Sequence, residues 1–167
     1  MPRFNALGDW LSWLETAHGS KIDLGLSRIR AVADRMGLLD PEFPVITVAG
    51  TNGKGSSVAM LESILTAAGH KTGVYTSPHI HRYNERIRVG CAVADDQPII
   101  EAFTAIDAAR EDISLSYFEF GTLAALHLFY AAKVDVAILE IGLGGRLDAA
   151  NIIDADVALI TSIDIDH

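Results

Sequence analysis

A run of β-favouring residues that ends abruptly at a glycine constrains this chain more than any other feature. Val45, Ile46, Thr47 and Val48 suit a buried strand, and Gly50 closes the run. Val58, Leu61, Leu65 and Ala68 then recur on one face of a helix. Between strand and helix lies Gly50-Thr51-Asn52-Gly53-Lys54-Gly55-Ser56. Its glycines let backbone N–H groups converge on an anion at a helix N-terminus, and Lys54 adds a point charge. Such an arrangement binds a phosphate chain. The usual loop pattern, G-x-x-x-x-G-K-[ST], is not met, because its first glycine would fall at Val48 and Gly55 separates Lys54 from Ser56.

Composition narrows the partners. The 167 residues allow one domain with a sizeable core, and half of them are hydrophobic. A net charge of −9, without a basic run, argues against nucleic acid. Cys91 stands alone and forms no internal disulfide, so a reducing compartment, the cytoplasm, is expected. The N-terminal stretch lacks the basic, apolar and small-residue order of a leader, and no apolar run reaches the roughly 18 residues of a membrane span. No membrane partner is expected.

Along the chain, apolar spacing predicts helices over Leu7 to His18 and Leu26 to Met36, joined by a polar linker that reads as a helix turn or a substrate loop. The helix after the glycine loop ends near Gly69, and a strand from Lys71 to Tyr75 leads into Thr76-Ser77-Pro78-His79. A hydroxyl such as Ser77 at the end of a parallel strand faces the crevice where open α/β sheets bind ligands. His79, His81, Arg82, Asn84, Glu85, Arg86 and Arg88 form the densest polar cluster. Two histidines offer too few ligands for zinc, so a solvated loop is expected there. Ile87, Val89 and Cys91 alternate as in a half-exposed strand, Asp95 and Asp96 suit a helix cap, and Ile99, Ile100, Phe103, Ile106 and Ala109 form the stripe of the next helix.

Ser114 to Gly121 is aromatic-rich, and the TLAALHLFYAAK run after it predicts a buried helix with His127 as a core residue. Val134 to Gly142 reads as a buried parallel strand ending in Glu140. A carboxylate there is costly unless satisfied, and Mg²⁺ on a phosphate is a natural partner. Gly142 to Asp148 does not complete G-x-G-x-x-G, whose third glycine would sit at Leu147. Val157 to Ile163 predicts a further strand. Four apolar strands interleaved with helices give a three-layer α/β fold with a mostly parallel sheet.

Five strings, GTNGKGS, TSPH, SYFEFG, LEIGLGGRLDAAN and TSID-x-DH, occur in that order over essentially all 167 residues. Together they resemble the folate branch of the Mur ligase superfamily, the folylpolyglutamate and dihydrofolate synthases. The resemblance implies an ATP-dependent amide ligase that forms an acyl phosphate and couples it to L-glutamate. Its acceptors would be 7,8-dihydropteroate and tetrahydrofolate, its cofactors ATP and Mg²⁺, and its state a monomer. Nucleotide contacts would come from Gly50, Thr51, Asn52, Gly53, Lys54, Gly55 and Ser56. Ser77, Glu140 and His167 would hold the metal, and Lys54, Glu140 and His167 would be the catalytic set. The pteroate moiety would meet Thr16, Ala17, His18, Gly19, Ser116, Tyr117, Phe118, Glu119 and Leu147. Because such ligases run longer, residues 1–167 are expected to be the N-terminal part of the ATP-binding domain, without the remainder of that domain or the C-terminal one. Alone they are expected to bind nucleotide weakly and not to turn over. Residue chemistry by itself also admits a Mur-type ligase of another branch, or a nucleotide-binding module without ligase activity.

Overall fold

The structure, a computed structural model, describes residues 2–19 and 25–164. Helices α1 (Leu7–Ala17) and α2 (Ser27–Arg35) precede strand β1 (Val45–Ala49) and helix α3 (Lys54–Ala67). Strands β2 (Thr72–Tyr75), β3 (Ile87–Val89) and β4 (Ala92–Val93) follow, then helices α4 (Asp96–Arg110) and α5 (Tyr117–Ala132). Strands β5 (Val136–Glu140) and β6 (Val157–Ile160) close the order, with short 3₁₀ turns at Gly145–Leu147 and Ala149–Ile152 between them.

These strands form one six-stranded sheet in the order β4-β3-β2-β5-β1-β6. The four strands β2, β5, β1 and β6 run parallel, and β3 pairs with β2 antiparallel to start a hairpin edge. Sequence order differs from spatial order at one decisive place: β5 lies between β1 and β2. The chain leaves β1 in one direction to reach β2, whereas it leaves β5 in the other direction to reach β6. Neighbouring strands whose connections diverge open a crevice at their C-terminal ends, which is where doubly wound sheets bind ligands.

Alternation along the strands separates two cores. Val48, Val74 and Ile138 turn to one face and pack with Val58, Leu61 and Leu65 of α3. Val45, Tyr75, Ala137 and Leu139 turn to the other and join the larger core of α5, α4, α2 and α1. The sheet is thus the middle of three layers, as the apolar pattern predicts. Val157 and Ile160 of β6 remain 56% and 62% exposed, since an edge strand has a neighbour on one side alone. No helix among the described residues is long and apolar enough to cross a membrane.

Two boundaries differ from the sequence reading. Helix α5 starts at Tyr117, so the aromatic run belongs to it and does not precede it. Ser116 and Glu119 explain this: Ser116 Oγ accepts from the Glu119 N–H, and a Glu119 carboxylate oxygen accepts from the Ser116 N–H at 2.7 Å. This reciprocal cap was legible as S-x-x-E. Cys91 falls outside β3, in the hairpin turn with a φ of 66°. Asp95 takes the N-cap position of α4, without a side-chain cap bond.

Close approach of α5 to β2 depends on Gly73, where an added Cβ would lie 2.6 Å from the Phe129 ring. Phe129 is fully buried, so the ring cannot swing clear. We expect Gly73→Ala to destabilise the fold by about 1–3 kcal/mol, the usual cost of overpacking. Urea unfolding would register this as a lower midpoint at unchanged m-value, and an unchanged midpoint would disprove the close-packing argument.

Candidate active site

Register places the site. Val48 is opposite Glu140 across the β1–β5 pair, and Tyr75 is opposite Leu139 across β2–β5. The residues that leave β1 and β2 therefore emerge on either side of Glu140. From β1 the chain enters Gly50 to Gly53, and Gly53, in the left-handed conformation at φ 85°, is the N-cap of α3. The N–H groups of Lys54, Gly55 and Ser56 occupy the first helical turn, where they have no intrahelical acceptor. Lys54 Nζ folds back onto its own loop, donating to the carbonyls of Gly50 at 2.8 Å and Thr51 at 3.2 Å.

The loop is braced from a distant part of the chain. Thr51 N–H donates to the Ser162 carbonyl at 2.8 Å, Asn52 bridges to Ser162, and Thr51 Oγ1 donates to the Asp164 carbonyl at 3.0 Å. Gly50 sits at φ 129°, and any Cβ there would collide with Thr161 Oγ1. Its glycine is demanded twice, by backbone conformation and by contact. A cleft of about 640 Å³ opens beside the loop, lined by Gly50, Lys54, Gly144, Arg146, Asn151 and Asp164 among others.

Glu140 is 5% exposed at the end of its strand. Its Oε2 accepts from the Ser77 backbone N–H at 2.9 Å. Burial pushes the carboxyl above its ordinary range, against the pull of that N–H and of the Lys54 and Arg88 charges. Such a carboxylate favours a cation partner. With the Ser77 hydroxyl it supplies hard oxygen donors of the kind Mg²⁺ accepts, so the residues present fit that ion. Among the described residues no group of three or more His, Cys, Asp or Glu is gathered around a metal position. His167 lies outside the described residues.

Beyond β5 the backbone turns around Asp148, which is 3% exposed. Its carboxylate accepts from the N–H groups of Gly142 and Leu143, and from Ala150 at 2.9 Å. Burial nonetheless pushes the Asp148 carboxyl up. Sequence reasoning missed this role, although an aspartate before a short turn is a capping signal. Leu147 on the same loop is 43% exposed.

The residues expected to meet an acceptor divide into groups. Thr16, His18 and Tyr117 line a second pocket of about 670 Å³ with Leu14, Glu15, His79 and Arg86. Ala17 and Gly19 flank it along the chain without lining it, and Thr16 Oγ1 is occupied by the Trp13 carbonyl. Phe118 packs between Tyr75, at 5.6 Å between ring centres, and Gly142, where a Cβ would lie 2.8 Å from its ring. Ser116 and Glu119 are buried in the α5 cap, and Glu119 also meets Arg28 at 3.2 Å. Their polar atoms are committed to holding α5, the helix that begins with Tyr117 and Phe118.

The polar cluster after Ser77 is solvated at His81 and Arg82 yet closely partnered. Glu85 gathers the N–H groups of Ile80, His81 and Arg82. Asn84 holds Asp96 at 2.8 Å, Arg86 holds His79, and Arg88 grips Glu62 of α3 with contacts down to 2.8 Å. The Asn84, Arg86 and Arg88 pairs close across 7 or more residues, a kind of partnership that local spacing does not reveal.

No family model matches the chain. It is 58% identical over 161 residues to the dihydrofolate synthase/folylpolyglutamate synthase of Escherichia coli strain K12, covering 96% of this chain and 38% of that protein. Among solved structures it is similar to E. coli FolC in complex with DHPP and ADP, with a TM-score of 0.96 at 58% identity, over 98% of this chain and 39% of that one. It is also similar to the bifunctional folylpolyglutamate synthase/dihydrofolate synthase from Yersinia pestis complexed with AMPPNP and Mn ion. There the TM-score is 0.95 at 54% identity, over 100% of this chain and 41% of that one. The chain thus spans about 38% of the length of the first curated relative. Identity and backbone agree over nearly every residue present, and by both the chain belongs to the dihydrofolate synthase/folylpolyglutamate synthase family.

Proposed function

We propose that these residues form the N-terminal part of the ATP-binding domain of an amide ligase, which adds L-glutamate to 7,8-dihydropteroate and to tetrahydrofolate through an acyl phosphate. One observation carries the reading: a lysine-bearing loop and a buried, cation-seeking Glu140 meet at the divergence of β1 and β5. ADP and AMPPNP in similar structures support a nucleotide, and Mn in one of them supports a divalent ion in a site suited to Mg²⁺.

Residues of the loop divide the work. N–H groups of the first turn of α3 receive phosphate oxygens, and Lys54 leaves its two carbonyls to neutralise the β- and γ-phosphates. Gly50, Thr51, Asn52 and Gly53 shape the backbone, Gly55 admits the phosphate closely, and Ser56 offers its hydroxyl. Ser77, Glu140 and His167 would hold Mg²⁺, which would supply charge neutralisation on the phosphate oxygens when bound. Thr16, His18, Tyr117, Phe118 and Leu147 orient the acceptor, and Ser116 and Glu119 keep α5 in place. Catalysis is positioning and electrostatic stabilisation, with no covalent nucleophile from the protein.

Calorimetry on the 167-residue chain tests the phosphate site. Lys54→Ala is expected to weaken ATP binding in Mg²⁺ by about tenfold or more, since a charge-assisted hydrogen bond contributes roughly 1.5–3 kcal/mol. Glu140→Gln is expected to retain metal-free nucleotide affinity and lose most of the gain that Mg²⁺ confers. Equal affinity of wild type and Lys54→Ala would remove the loop from the site.

The reaction is tested on the natural gene product that carries these residues. ADP release should require L-glutamate together with either 7,8-dihydropteroate or tetrahydrofolate. Release with tetrahydrofolate alone would restrict the reading to polyglutamylation. Silence with both, from folded protein that binds ATP, would overturn the folate assignment and leave the phosphate site intact.

A further inference from the structure

The proposed function leaves the polar cluster after Ser77 unused, and Arg86 is the arginine of that cluster that meets no carboxylate. Among the described residues, Arg3, Arg28, Arg35, Arg82, Arg88 and Arg110 each meet a carboxylate within 4 Å. Arg86 meets none, although it is half-buried. The other two arginines without such a partner, Arg30 and Arg146, are exposed to solvent. A charge removed from water without a counter-ion is costly, and a chain of net charge −9 does not lack carboxylates to offer.

Its position is fixed on several sides. Nε donates to His79 Nδ1 at 2.9 Å. The guanidinium carbon lies 5.6 Å from the centre of the Tyr83 ring and 5.7 Å from that of Tyr117, within cation–π range of both. Tyr83 is 3% exposed and its ring packs edge-on against Phe103 at 5.8 Å, so this support is part of the core. The side chain reaches the pocket of about 670 Å³ that Thr16, His18 and Tyr117 also line. Glu15 shares that pocket and forms no ion pair with it. The buried Tyr75 hydroxyl also lies beside the guanidinium. Held at Nε, by two rings and beside that hydroxyl, the guanidinium still has terminal N–H groups to offer a planar anion.

We propose that Arg86, positioned by His79 and the two tyrosine rings, is the docking point for the carboxylate of an aromatic acid in this pocket, so that the site selects an acid over its neutral analogue. The inference rests on the ligase reading for its ligand class, and deepens it by naming the group that recognises the acceptor's charge. His79 is two residues beyond Ser77, which is hydrogen-bonded to Glu140. Cα atoms so separated lie within roughly 7 Å, so a carboxylate on Arg86 waits beside the segment that leads to the phosphate cleft.

The test uses two probes, pteroate and its carboxamide, which differ only in charge and one terminal atom. Binding of each to the 167-residue chain is measured by calorimetry for wild type, Arg86→Gln and Arg86→Lys. Wild type should prefer the acid by about tenfold or more, as expected for a charge-assisted bond. Arg86→Gln should bring the acid down to the affinity of the amide while leaving the amide unchanged, and Arg86→Lys should restore part of the preference. A merely structural arginine would weaken both probes alike, and that result overturns the proposal. Equal binding of acid and amide by wild type overturns it too, while leaving a pteroate pocket in place. Failure of wild type to bind either probe removes the site altogether, and the nucleotide and ADP-release experiments then decide the ligase reading independently.

Discussion

The insertion of β5 between β1 and β2 is the constraint on which the rest of this structure depends. It forces the connection out of β1 to cross one face of the sheet as α3, and leaves the connection out of β5 to cross toward β6. Both must be right-handed to pack back on a twisted sheet, so they separate above the β1–β5 seam. Register then does the rest: Val48 opposite Glu140 and Tyr75 opposite Leu139 bring a phosphate loop, a serine and a buried carboxylate to one level. A slip of one residue in β5 would turn Glu140 to the other face and Leu139 toward α3.

Charges tie the hairpin edge to this seam. Arg88 stands opposite Val74 on β2, on the α3 face, and its fork on Glu62 joins the sheet to the helix that carries Lys54. The same guanidinium contributes to the field at Glu140. Glu62 is 8% exposed, a burial that an unpaired carboxylate would not tolerate. The ion pair therefore sets where α3 begins relative to β5, and with it where the loop N–H groups aim.

What the sequence made legible follows the range of the interactions. The strand, loop and helix of residues 45–67 are specified by neighbours in the chain, and they were readable with the lysine and the crevice position of Ser77. Glu140 was readable because an ionisable group ending an apolar strand violates a local rule. The partnerships that build the second pocket were not readable. Trp13 meets Phe120 at 5.9 Å, Arg86 meets the rings of Tyr83 and Tyr117, and His18 meets Ser114 at 2.8 Å, 96 residues away. Glu119 carries two signals. The family resemblance implies a ligand contact, and its S-x-x-E spacing announces the helix cap in which its oxygens are held.

The two pockets thus differ in what they are made of, and the difference bears on how each can vary. The phosphate site is chiefly backbone: N–H groups at a helix start, a left-handed Gly53, and a Gly50 that admits no Cβ beside Thr161. Substitution there is felt chiefly at the two glycines and at the side chains proposed to bind, Lys54, Ser77 and Glu140, because the other binding groups are peptide units that every residue carries. The second pocket is made of side chains from α1, α5 and the segment after β2, supported by a chain of packed rings from Trp10 through Phe103 to Tyr83. A change in any of these moves the recognition surface without touching the phosphate loop. On the proposed reading, nucleotide use is fixed by the topology of the sheet, whereas the choice of acceptor rests on a removable set of rings and charges packed against its other face.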